Sequence, residues 1–90
     1  MPLSSTELAR ARDLVADILE ELQLDAYLFE VEPGTGEWEV RVECPVAEGW
    51  AHRRLRVDRE RLLAADEDPA QRRRLVDDWQ QRLVECLRVR

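Results

Sequence analysis

The sequence predicts an α+β fold: a helix, a three-stranded antiparallel meander, a short helix and a C-terminal helix, with the helices packed on one sheet face. Three observations carry this. Between Tyr27 and Val57, three segments alternate apolar and polar residues. Tyr27, Phe29 and Val31 share one side of the first; Trp38, Val40, Val42 and Cys44 share one side of the second; Ala51, Leu55 and Val57 share one side of the third. Successive side chains of a strand point to opposite faces, so each segment has a buried and a wet face. The flanking segments instead space their apolar residues as helices do, and stretches containing Pro and Gly separate the strands.

The first helix is expected to begin at Ser4, with Glu7 three positions on in capping-box spacing. Leu8, Ala11, Leu14, Val15, Ile18, Leu19 and Leu22 form its apolar stripe, and Leu24-Asp25 closes it without a glycine. Pro33-Gly34-Thr35-Gly36 reads as a hairpin turn. A phosphate-binding loop would have to run into a helix N-terminus, whereas this one runs into Glu37-Trp38-Glu39. The second strand ends at Cys44-Pro45, a longer loop covers Val46 to Gly49, and the third strand runs from Trp50 to about Asp58. Asp58 is the expected N-cap of a short helix through Ala65. The acidic connection Asp66-Glu67-Asp68 follows, and Asp68-Pro69 opens the last helix with a cap and a first-turn proline. Leu75, Val76, Trp79, Leu83, Cys86 and Leu87 form that helix's stripe.

All 90 residues fit one domain, residues 1–90. A chain this short buries only about 60–65% of its unfolded surface, so a second copy would add to a thin core. The apolar share of 44% and charged share of 38% suit a soluble chain, with no run approaching a membrane span. The start, Met1 to Glu7, has neither a basic stretch nor an apolar one, so the expected compartment is the cytoplasm. Cys44 and Cys86 fall on predicted apolar faces and are expected as free thiols filling the core rather than as a disulfide. Two distant cysteines and one histidine are too few for a metal site. No cofactor site is assigned either.

Every basic side chain is Arg, and Lys and Asn are both absent, as a GC-rich gene would produce. Charge is unevenly placed. Residues 1–51 hold twelve acids and three arginines, a net −9, and residues 52–90 hold eight acids and eleven arginines, a net +3. The total of −6 argues against nonspecific nucleic-acid binding.

The uncovered sheet face is the candidate surface. It carries Leu28, Glu30 and Glu32, then Glu37, Glu39, Arg41 and Glu43, then Trp50, His52, Arg54 and Arg56. A ladder of opposite charges across neighbouring strands accounts for most of it. Trp50 does not fit a charge ladder. It is either an interface anchor flanked by His52, Arg54, Arg56 and Glu39, since Trp and Arg are enriched at interfaces, or a ring folded over its own loop onto Val46. His52 has no nucleophile at hand except an inward Cys44, so no catalytic residue is assigned. Arg72, Arg73 and Arg74 open the last helix and, with Arg59 and Arg61, form a basic corner for a phosphate or an acidic partner.

The element order resembles that of double-stranded RNA-binding domains. In that family a lysine-rich motif starts the last helix and clamps phosphates; here Pro69-Ala70-Gln71-Arg72-Arg73-Arg74 stands in its place, and the first helix is lined with acids. KH domains share a related layout, but their GxxG loop is missing. A small acidic chain with a spare sheet face also resembles bacterial secretion chaperones and similar adaptors. That resemblance implies a partner segment bound on the sheet, and often dimerisation. The reading is a non-enzymatic protein-binding module, with the RNA-binding topology as its alternative.

Overall fold

Helix α1, Ser5–Glu21, forms where the apolar stripe predicts it. The computed structural model describes residues 5–24 and 26–87, so the expected cap at Ser4 lies outside the described residues. Ala11, Leu14, Val15, Ile18 and Leu19 are all buried. The turn after the helix places Gln23 at a left-handed φ of 59°, a conformation glycine usually supplies at this place. The N–H of Gln23 donates to the Glu20 carbonyl at 3.0 Å.

Strands β1 (Leu28–Glu32), β2 (Glu37–Val46) and β3 (Gly49–Asp58) form an antiparallel sheet in the order β1-β2-β3. The predicted phase holds. Trp38, Val40, Val42, Cys44, Ala51, Leu55 and Val57 are buried, while Trp50 is 54% exposed. The turn between β2 and β3 is tighter than expected: the strands pair through Val46 and Gly49, leaving only Ala47-Glu48 as the turn. Gly49, at φ 127°, lets the chain re-enter the sheet.

Asp58 caps α2 (Arg59–Glu67) by accepting from the Arg61 N–H. Asp68 caps α3 (Pro69–Arg82) by accepting from the Ala70 N–H at 2.9 Å. The expected acidic loop is mostly helix, because α2 continues through Glu67 and Asp68 alone links the two. The last helix is also shorter than its stripe: α3 stops at Arg82, and a 3-10 turn, Val84–Cys86, carries the chain back to the sheet. Leu87 then makes an isolated bridge to Leu24.

All three helices lie against the same sheet face, and Trp38 and Trp79, each 1% exposed, sit in the shared core. Among the described residues, no helix is long and apolar enough to cross a membrane.

The two cysteines correct the sequence reading. Cys44 and Cys86 form a disulfide, with Cα atoms 5.5 Å apart across 42 positions of chain. Both had been expected as free core thiols. Their predicted faces were right, but the face of an element does not say which side chains of the opposing element meet it. The 3-10 turn brings Cys86 onto the end of β2.

Candidate functional site

The uncovered face is built by register. Its rows across the sheet are Glu32, Glu39 and Arg56; Glu30, Arg41 and Arg54; Leu28, Glu43 and His52; and, beyond the end of β1, Pro45 and Trp50. Every candidate residue of the three strands therefore faces the same way.

The charges pair less evenly than a simple ladder would. Arg41 at the centre takes both Glu32 across the hairpin and Glu39 on its own strand. His52 Nδ1 lies 3.4 Å from Glu43 Oε1. The Arg41 contact uses up Glu39, the direct neighbour of Arg56, and the register sets Arg54 opposite the Arg41 guanidinium, a destabilising pairing. Among the described residues, Arg54 and Arg56 have no ion-pair partner. Both are exposed, so β3 presents a stripe of positive charge that neighbouring carboxylates do not neutralise.

Trp50 caps that stripe. Val46, onto which it could have folded, is turned to the covered face and packs against the core, so the indole sits opposite Pro45 instead. Leu28, 61% exposed, is a second large apolar side chain on this face. The two stand on the outer strands β1 and β3, two strand spacings of about 4.8 Å apart, with Glu43 and Pro45 of β2 between them.

Arg53 was missed by the sequence reading. Its parity places it on the covered side between Ala51 and Leu55, which was the signal available. There it pairs with Glu85 in the 3-10 turn, and its Nη1 donates to the His52 carbonyl at 2.9 Å.

The basic corner is largely spoken for. Arg59 donates to Glu7 of α1 through Nη2 at 2.5 Å and Nε at 3.2 Å. The hydrogen bond from Arg59 and its charge hold the Glu7 carboxyl below the usual carboxylate range, and Glu7 in turn raises the Arg59 guanidinium. Arg72 lies 3.5 Å from Glu21, and Arg73 lies 3.9 Å from Asp77. Arg61 and Arg74 alone of the five are exposed with no ion pair among the described residues.

Chemistry that needs His52 and Cys44 together has no geometry here. They project from opposite faces, and the sulfur of Cys44 is bonded to Cys86. Among the described residues, no group of three or more His, Cys, Asp and Glu could hold a metal ion. Comparison of the chain with protein-family models, with curated proteins and with solved structures finds no match.

Proposed function

We propose that this chain is a small acidic, non-enzymatic protein-binding module that acts through its uncovered sheet face, with Trp50 as the anchor. The observation behind this is the half-exposed indole at the head of a stripe whose two arginines lack ion-pair partners among the described residues. Burying an indole and pairing desolvated guanidinium groups are what interface hot spots do. His52, Arg54 and Arg56 are the flanking polar contacts. Glu39 belongs to the Arg41 cluster and orients the face rather than reaching a partner. A second copy meeting this face would be the homodimeric form of the same reading. The test is Trp50→Ala: the folded chain keeps its melting temperature and loses its partner in a pull-down from the native cell. Unchanged capture together with an unchanged sedimentation coefficient refutes the reading.

Arg61 and Arg74, without an ion pair among the described residues, support a second reading, nucleic-acid binding at the start of α3 in the manner of double-stranded RNA-binding domains. It requires affinity that falls steeply with salt, and a low-salt gel shift without retardation removes it.

The compartment is expected, not shown, to be the cytoplasm. Against it stands the buried Cys44–Cys86 bond, of a kind that persists mainly in oxidising compartments.

A further inference from the structure

The free edge of β3 adds a directional feature to the binding face. Pro45 has no N–H, so Pro45 and Trp50 cannot be a pair that exchanges both backbone hydrogen bonds. The alternation of an antiparallel ladder then fixes the rest. Val46↔Gly49, Cys44↔Ala51, Val42↔Arg53, Val40↔Leu55 and Trp38↔Val57 are the bonded pairs. It follows that Trp50, His52, Arg54 and Arg56 turn their N–H and C=O groups away from β2, towards the open edge. Of these, the His52 carbonyl is covered by the Arg53 guanidinium. Among the described residues, no hydrogen bond reaches the edge groups of Trp50, Arg54 or Arg56. The residues whose side chains make the positive stripe are thus the ones whose backbone is open to a fourth strand.

Resting on the protein-binding reading above, we infer that the partner is an extended acidic segment of another protein. It adds antiparallel to the β3 edge, with carboxylates facing Arg56 and Arg54 and an apolar side chain against Trp50. Backbone pairing supplies affinity in such strand addition, and alternate side chains supply specificity. The spacing follows from the strand: read in the partner's direction, it is an acid, any residue, an acid, any three residues, then a large apolar residue.

Charge selects this occupant over two others. A second copy pairing antiparallel through the β3 edges, with the two-fold axis at Arg54, would set Arg54 against its own counterpart and Arg56 against His52, a like-charge arrangement. A nucleic-acid backbone would overrun a stripe only one strand wide, about 4.8 Å, and meet Glu39 and Glu43 on β2.

The experiment uses two synthetic nine-residue peptides, one carrying the Glu-x-Glu-x-x-x-Leu pattern and one with both Glu replaced by Lys. Each is titrated into the full chain, and binding is followed by fluorescence anisotropy and by amide exchange. The acidic peptide is expected to bind and to slow exchange at Trp50, Arg54 and Arg56. Affinity should fall about tenfold in Arg54→Glu/Arg56→Glu, and the Lys peptide should recover it in that variant. The swap keeps the test sound even if the variant is less stable.

If Trp50→Ala weakens binding while the charge swap changes nothing, the acidic-strand inference fails and the module reading stands. If neither peptide binds and Trp50→Ala leaves capture of the native partner unchanged, both fall. Dimerisation of the wild-type chain that disappears in the Arg variant makes a second copy the occupant and overturns the inference. So does retention of a single-stranded oligonucleotide that depends on Arg54 and Arg56.

Discussion

Reducing the Cys44–Cys86 bond changes no residue and removes the cross-link, so the entropic part of its effect on stability can be worked out directly. The bond closes a ring of chain across 42 positions. Loop-closure entropy for that length gives about 4 kcal/mol of destabilisation at 25 °C when the constraint on the unfolded chain is lost. For a domain of this size, each kcal/mol moves the melting midpoint by about 4–8 °C, so the reduced chain should melt roughly 15–30 °C lower. Both sulfurs are buried, so reduction needs prior opening in denaturant before the chain is returned to buffer with reductant. Thermal melts by circular dichroism, oxidised against reduced, supply the comparison. Cys44→Ala/Cys86→Ala, melted in both buffers, shows whether the reductant itself acts. A reduced midpoint within about 3 °C of the oxidised one would refute the reasoning and return both residues to ordinary core packing.

Trp38→Ala should cost about 3–5 kcal/mol in urea unfolding, whereas Trp50→Ala should stay within about 0.5 kcal/mol; equal costs would mean the sheet parity is wrong. Gln23→Gly should raise the urea midpoint, gaining about 0.5–1 kcal/mol by relieving a left-handed non-glycine residue. For Glu7, the folded carboxyl titrates below its unfolded value. Its contribution is therefore present above the ordinary carboxylate range and lost as pH falls through the depressed folded value. Glu7→Gln should accordingly be less stable than the wild type at pH 7, and the two melting curves should converge in strong acid.

What the sequence made legible was whatever one element decides for itself. Alternation alone separated Trp38 from Trp50, since a strand's two faces need no knowledge of the rest of the chain. Asp58 and Asp68 were readable as caps for the same reason, because each bonds an N–H two or three residues on. The disulfide was not readable, because it depends on where a 3-10 turn sets Cys86 relative to β2. The pairing of Arg41 with Glu32 and Glu39 was equally hidden. Several carboxylates compete for that guanidinium, and only the register and side-chain reach decide which of them win. Arg54 and Arg56, left without a partner among the described residues, are the remainder of that competition.

The covalent ring also divides the molecule mechanically. Pulling on the two ends cannot lengthen the part enclosed between positions 44 and 86, which holds β3, α2 and α3. Only α1, β1, most of β2 and the last residues can pay out, roughly 170 Å of contour instead of about 310 Å for the open chain. Under tension the strand bearing Trp50 would stay inside the closed loop while the N-terminal half peels away.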